Sequence, residues 1–590
     1  MSTLDIFDTL SSPLITSLLV THPNDIASSD FAVPSIWESW WPWAIGSDDD
    51  NACATPKWLQ LLRYSASSHG VENPPTTFPS NGVHPNQDKS NVGLGNGLPL
   101  ELCTLIDTVL RLELNRQLSP ITAISGSSRF ITGRTYGMSP KKEHEVDRMS
   151  AFISSFLRSG NLQQVSRVVD IGSGQGYLSR SLQEQGLHVL ALDFNEIQTS
   201  GAERWKAKSA TRKNRREKTQ TDQNVTLEGQ NDDENNLKLT RSFKIVNQIP
   251  GVNNTEFTQS LKGSLTHKTI HITPQSLDLS IQDWLLSDGP EASAEQDNVP
   301  YPHVDPVLDL TPVLFVALHA CGSLTLDILR TFLSKHAIST NQEQTRSIWN
   351  AHSLFVVGCC YNLMTPHDFP MSSALRERGG VLSLASRHLA AQIPSQWLRN
   401  TASQRKAELA IRKVVYRALL QPILQAIANQ GKNPEDNASR NRTTGTDGSG
   451  ANKQDEETLR GVGETSENKR LGKLNDAAYR DWNTFLVRAA EKMDFHLESI
   501  SHQLPDYLKD ERRRKQLESG LSVLHVLRCL LGPLIESLIL IDRYDWVREE
   551  LQQPLSHNQS MDVKLVNLFD QATGSGRNVA IVITPTDSQI

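Results

Sequence analysis

The spacing of apolar positions changes several times along the chain, and each change predicts an element. Residues 167–171 (Arg-Val-Val-Asp-Ile) and 188–193 are β-branched or apolar runs that each contain or end in an aspartate, and they read as strands one and two. Between them, 177–185 has helical character. Residues 146–157 place apolar side chains at the intervals of an amphipathic helix leading into the first strand. The alternation Thr269-Ile270-His271-Ile272 reads as strand three. Continuous apolar runs at 313–318 and 354–357 suit strands four and five buried on both faces. A helix over 323–333 follows the first of these, with Ser323 as its candidate N-cap. Residues 563–569 and 578–584 read as two closing strands joined by a Gly/Ser turn. Strands alternating with helices predict an α/β fold built on a parallel sheet.

The rest of the chain is patterned as helix and loop. Residues 1–135 read as a helical N-terminal region, with a Pro, Asn, Ser and Gly rich loop over 66–98 and renewed helical periodicity over 99–118. The core is placed at 136–372, a helical insertion at 373–555, and the closing hairpin at 556–590. Two polar stretches, 206–240 and 430–470, are expected to be disordered, because they lack the apolar content to offset chain entropy. The first is basic and then acidic; its basic half could touch phosphate, or simply be a solvated charge run. Trp37, Trp40, Trp41 and Trp43 form a dense aromatic patch, read either as a core-facing cluster or as a docking surface for a partner or an unstacked base. No run of about 18 apolar residues appears, so no membrane span is expected.

Composition narrows this picture. The formal charge of −7 argues against a wholly basic nucleic-acid binder, and no DNA partner is expected. The six cysteines show no disulfide-framework spacing, which fits a reduced, intracellular location in cytoplasm or nucleus. The N-terminus lacks a basic region before an apolar core and does not read as a signal peptide.

The chemistry concentrates where strands end. After the first strand come Asp170, Gly172, Ser173, Gly174 and Gly176, then the helix. Glycines at alternate positions let backbone approach a ligand at a helix N-terminus. Asp193, followed by Phe194, ends strand two where a ribose diol would be met. A nicotinamide fingerprint needs its third glycine one place later, and that place is Tyr177. Strand four ends Leu318-His319-Ala320-Cys321-Gly322, and strand five ends Gly358-Cys359-Cys360-Tyr361-Asn362. Three readings of this cluster stand side by side. His319, Cys321 and Tyr361 could line an acceptor pocket, with His or Tyr orienting or deprotonating the acceptor. His319, Cys321 and one of Cys359 or Cys360 could hold a metal, although strand alternation opposes both adjacent cysteines facing one way. The cysteines could also be small buried hydrophobes. Upstream, Lys142 and His144 lie either in a helix-start segment or in a cover over the site.

The form Asp-x-Gly-x-Gly-x-Gly resembles motif I of class I S-adenosylmethionine-dependent methyltransferases. In order along the chain stand Met-Ser-Pro-Lys-Lys-x-His-Glu-Val, Asp-Ile-Gly-Ser-Gly-Gln-Gly, Leu-His-Ala-Cys-Gly, Cys-Cys-Tyr and Glu536-Ser-Leu-Ile-Leu-Ile-Asp-Arg543. Together they resemble the methyltransferase-like 25 family, which includes relatives named for a ribosomal RNA adenine dimethylase domain. The chain has Ser575-Gly576-Arg577-Asn578 where that family has Ser-Pro-Arg-Asn. The resemblance implies a Rossmann-like methyltransferase sheet with an antiparallel C-terminal hairpin, and S-adenosyl-L-methionine as cofactor. It implies that Asp170, Gly172, Ser173, Gly174, Gly176, Asp193 and Phe194 bind the cofactor, with Asp170 and the glycines framing its methionine end. Adenine-N6 enzymes of the dimethylase type carry Asn or Asp, two apolar or Pro residues and an aromatic after strand four. His319-Ala320-Cys321-Gly322 stands there instead, so the acceptor stays open between RNA and protein. A non-catalytic cofactor-binding module of the same fold is the alternative.

Overall fold

The computed structural model describes residues 2–27, 31–46, 55–68, 97–120, 138–159, 165–196, 263–287, 310–336, 348–430, 471–496, 509–552, 560–571 and 575–586. The expected disordered stretch 206–240, all of 430–470 but residue 430, and most of the 66–98 loop lie outside them. The chain divides into two compact units. One joins Met1–Asn115 to Phe369–Asp542, and the other joins Arg116–Asp368 to Arg543–Ile590.

The second unit carries a seven-stranded sheet. Its strands are β1 (Arg167–Ile171), β2 (His188–Asp193), β3 (Leu265–Thr269), β4 (Thr311–Cys321), β5 (Trp349–Cys359), β6 (Met561–Asn567) and β7 (Val579–Pro585), in the spatial order β3-β2-β1-β4-β5-β7-β6. The first five are parallel, and β7 runs antiparallel to both β5 and β6. The strand order reverses between β1 and β4, and in such sheets the crevice outside the carboxyl ends at that point receives ligands.

The strands follow from their side chains. Val168, Val169, Val189, Leu190, Val313, Leu314, Phe315, Val316, Phe355 and Val356 are at most 1% exposed, as a sheet covered on both faces requires. Helices α1 (Pro140–Ser159) and α2 (Tyr177–Glu184) supply Val146, Met149, Phe152, Ile153, Phe156, Leu178 and Leu182 to one buried cluster with Leu314, Val316 and Phe355. Phe355 takes edge contacts from Phe152 and Phe156, at 5.3 and 5.0 Å. Phe315, next along β4 and so on the opposite face, meets Phe332 of α3 (Leu324–His336) and Trp349, at 6.0 and 5.8 Å. Strand β3 lies four residues earlier than the alternating isoleucines suggest. Its pairing to β2 runs from Val189↔Leu265 to Asp193↔Thr269, and Leu265 is the side chain it buries. Ile270 and Ile272 are half-buried in the chain leaving the sheet edge.

The first unit is helical. Trp37 and Trp40 are fully buried and Trp41 is 7% exposed, with ring centroids 5.1–5.7 Å apart. Trp37 Nε1 donates to Ser17 Oγ at 2.8 Å. Gly520, on the helix Glu511–Leu530, leaves room for Trp41 and Ile45, each within 2.8 Å of where a Cβ would stand. Trp37, Trp40 and Trp41 are therefore core, whereas Trp43 is half-buried. The stretch Glu511–Gln552 is long and apolar enough to cross a membrane by composition, but 89% of its apolar window is buried inside the protein. Asp542 on this stretch is fully buried; its carboxylate accepts hydrogen bonds from the Met371 and Ser372 amides and from Ser372 Oγ, all at 2.7–2.8 Å.

The tips of β4 and β5 are held by one close approach. Gly322 has φ +55°, and a Cβ there would lie 2.6 Å from the Leu363 carbonyl oxygen. Its amide donates to the Cys359 carbonyl at 3.1 Å. Gly322→Ala is expected to cost about 2–4 kcal/mol, from left-handed strain together with overpacking. Urea unfolding of the full chain measures it, and an unchanged midpoint would reject this packing.

Candidate functional site

The glycine loop is a short, tightly bonded turn. The Gly172 and Ser173 amides donate to the Leu192 carbonyl at 2.8 and 3.0 Å, and the Gly176 amide donates to the Ser173 carbonyl at 2.9 Å. Gly172, Gly174 and Gly176 all have positive φ, a conformation that side chains resist. Nothing lies within 4 Å of where a Cβ on Gly174 would stand. That open face, at the start of α2, is the cradle a ligand would occupy. Asp193 braces it: one carboxylate oxygen accepts the Gly174 amide and the other accepts the Asn195 amide, both at 2.8 Å. Each oxygen keeps capacity for a further hydrogen bond, as a ribose diol would need. Phe194 beside it is 71% exposed and offers a flat apolar face.

Asp170 departs from the role of framing a ligand. It is 1% exposed, and its carboxylate accepts the Ser179 hydroxyl, tying the end of β1 to α2. Burial pushes its carboxyl up to about 6, against the hydrogen bonds from Ser179 that favour the charged form. Its value in the native chain thus lies above that in the unfolded chain. The stability this group contributes is present at low pH and is lost as pH rises through about 4 to 6. Asp170→Asn removes the effect. Relative to that variant, the parent is expected to lose about 3 kcal/mol between pH 4 and 7. Urea midpoints of both chains across this range measure it, and parallel curves would show that Asp170 does not titrate there.

At the tips of β4 and β5 the candidate residues separate into three groups. His319 is 37% exposed, and its Nε2 lies 3.2 Å from an oxygen of Glu145, which is 2% exposed. Burial raises the Glu145 carboxyl, but hydrogen bonds from His319 and Ser575 and the charges of His319 and Lys141 outweigh it, so it is held below the usual value. Cys321 faces other sulfurs instead. Its Sγ lies 3.1 Å from that of Cys359, and the three sulfurs of Cys321, Cys359 and Cys360 all lie within 4.8 Å of one another. The hydrogen bond from Cys359 leads the effects that lower the Cys321 thiol to about 6. The hydrogen bond with Cys321, then burial, pushes the Cys359 thiol up, and burial leads in raising Cys360. Tyr361 is 1% exposed, with the guanidiniums of Arg543 and Arg577 over its ring at 5.8 and 5.9 Å, so its ring lines a packed interior rather than an open pocket.

Two readings from the sequence change here. Strand alternation was expected to keep Cys359 and Cys360 apart. Cys360 instead adopts φ 49°, ψ 52°, which breaks the alternation and turns its thiol back toward the other two. His319 does not join that cluster, because Glu145 takes it. Lys142 lies over the Tyr177 ring at 4.8 Å beside the glycine loop, while His144 packs edge-on to Phe569 at 6.3 Å and its Nε2 accepts the Asp570 amide.

Glu145, Arg543 and Arg577 stand in the motifs quoted from the sequence but were given no role there. A signal for the first was present: Glu145 shares the helical stripe of Met149, Phe152 and Phe156, where a carboxylate needs a partner.

Residues 141–367 match the family model for a methyltransferase domain. A probable methyltransferase-like protein 25 of Homo sapiens is 25% identical over 527 residues, spanning 73% of this chain and 72% of the relative. A probable methyltransferase-like protein 25 of Mus musculus is 24% identical over 509 residues, spanning 70% and 71%. Over most of its length the chain is thus similar to methyltransferase-like 25 proteins, and its residues 141–367 to a methyltransferase domain. The matched segment begins at α1, so it takes in Glu145, the glycine loop and both cysteine-bearing strand tips of this methyltransferase domain. No solved structure matches the chain.

Proposed function

We propose that this protein is an S-adenosyl-L-methionine-dependent methyltransferase acting on a macromolecular acceptor, RNA or protein. The observation that carries the reading is the open left-handed turn at Gly174, braced by Asp193 on the neighbouring strand tip. The residues here suit the cofactor: a Cβ-free cradle, two carboxylate oxygens with spare acceptor capacity, and an exposed aromatic face at Phe194. Gly172, Gly174 and Gly176 would hold the methionine end, Asp193 the ribose hydroxyls and Phe194 the base. When bound, the cofactor supplies an electrophilic methyl group on a sulfonium centre.

The chain's own part is to position the acceptor and manage its proton. Positioning supplies much of the rate of such a displacement. Glu145 can orient His319 by accepting its Nε2–H. That tautomer leaves Nδ1 as the acceptor, able to take a proton from an acceptor N–H or O–H. Tyr361 and the cysteines are reserved by this reading for structure around His319.

Asp193→Ala is expected to weaken S-adenosylmethionine binding by about 1–3 kcal/mol, read by isothermal titration on the full chain. Equal affinity in the variant would remove Asp193 from the site. His319→Ala is expected to slow methyl transfer to labelled extract fractions by about 10²–10⁴-fold while cofactor affinity stays within a factor of about three. Binding without transfer in the parent chain itself would favour the non-catalytic module.

A further inference from the structure

We propose that Cys321, Cys359 and Cys360 form a zinc-binding site at the tips of β4 and β5. The inference stands apart from methyl transfer, and three features of the backbone carry it.

The first is register. Cys321 pairs directly with Cys359 across the parallel β4–β5 ladder, as each strand's last residue. Parallel pairing puts their side chains on one face, and their sulfurs lie 3.1 Å apart. The second is the turn that follows. Cys360 is one of two described non-glycine residues with positive φ. A left-handed conformation costs a side-chain-bearing residue about 1–3 kcal/mol. Here it brings a third sulfur to the first two, which extended backbone would have sent to the opposite face. The third is rigidity. Gly322 approaches Leu363 so closely that a Cβ would clash, the Gly322 amide donates to the Cys359 carbonyl, and the Leu363 amide donates to the Cys360 carbonyl at 2.9 Å. The loops after the two strands are thus fixed against each other, and the three sulfurs with them.

The chemistry of the set selects the ligand. Three thiols are one too many for a disulfide, and the described cysteines are all free. Thiolates are soft ligands, suited to zinc. With Zn–S bonds of about 2.3 Å, tetrahedral geometry asks for sulfurs about 3.8 Å apart. The spacings here, from 3.1 Å to at most 4.8 Å, bracket that value, so small rotamer changes meet it. Binding would release the thiol protons to solvent and form three Zn–S bonds, with no change of oxidation state. Three thiolates leave the site with one net negative charge. Two guanidiniums, Arg543 and Arg577, stand over the ring of Tyr361, the next residue in the chain, and offset it. Cys359 is buried, whereas Cys321 and Cys360 are half-buried, which leaves one side open for a fourth ligand from solution. Among the described residues no His, Asp or Glu joins the sulfurs.

The test uses the full chain, purified under reductant and analysed for metal by mass spectrometry, then stripped by chelator and titrated with Co²⁺ and Zn²⁺. About one zinc per chain is expected. Cobalt should give the near-ultraviolet sulfur-to-metal charge-transfer band and the visible bands of a tetrahedral site, and zinc should displace it. Cys321→Ser and Cys360→Gly should abolish those bands. The second variant keeps the left-handed turn at no steric cost, so it separates loss of a ligand from loss of fold, and circular dichroism verifies both chains. Cys103→Ser, in the other unit, should leave the bands unchanged. A folded, fully reduced parent without cobalt bands overturns the proposal, as do bands that persist in both cluster variants. A Cys321–Cys359 disulfide forming with zinc present in excess overturns it too.

Discussion

Strand β4 is hydrogen-bonded on both edges, to β1 and to β5, and buried on both faces from Val313 to Ala317. Such a strand has no freedom to slip, because a one-residue shift would exchange its two buried faces and break both ladders. Its carboxyl end is therefore fixed relative to its neighbours. From that end the chain presents His319 and Cys321 on one face, beside the glycine loop after β1 and the turn after β5. The irregular register between Ala317 and Ala320 lies just before these residues and sets how they leave the sheet.

Three carboxylates placed inside this frame are each given a polar partner. Asp170 takes a hydroxyl from α2, and Glu145 takes His319. Asp368 accepts from Ser323 Oγ and from the Thr365 amide and hydroxyl. A buried carboxylate without such donors would cost several kcal/mol, so each one also specifies which loop lies against it. The glycine loop, by contrast, is braced by an aspartate that keeps acceptor capacity to spare. The same residue type thus serves as a structural clamp at Asp170 and as an available ligand at Asp193, and the difference between them is exposure.

How much of this was legible follows from the physics of each element. Strands β1 and β2 were found at their observed bounds, because β-branched runs ending at glycine or aspartate are local signals. Strands β4 and β5 extend several residues past their apolar runs, since ladder pairing carries His319, Cys321 and Cys359 into the strands despite their polarity. Strand β3 was displaced because at an edge the pairing partner, not alternation, decides which residues are in register. The position of Cys360 was beyond sequence reasoning: its left-handed turn arises from the loop packing of Gly322 against Leu363, a contact between residues 41 positions apart. Arg543 was named as part of a motif, but its place over the Tyr361 ring was not foreseen, because that contact joins residues far apart in the chain. The union of residues 1–115 with 369–542 in one unit was equally invisible, because nothing local records which distant helices share a core.

The order in which the sheet is completed has a consequence for biosynthesis. Strands β1 to β5 lie before residue 360, but β6 and β7 follow the whole stretch 369–542. As the chain leaves the ribosome, β5 must wait for more than 200 residues before β7 pairs with it. At about 5–20 residues per second that is on the order of ten seconds or longer. Throughout that interval β5 is an open edge of eleven mostly apolar residues, the kind of strand that recruits other chains. The intervening unit can fold on its own core in that time. Until β7 is made, the five-stranded sheet thus keeps an unpaired border at β5, and the closing hairpin is what covers it.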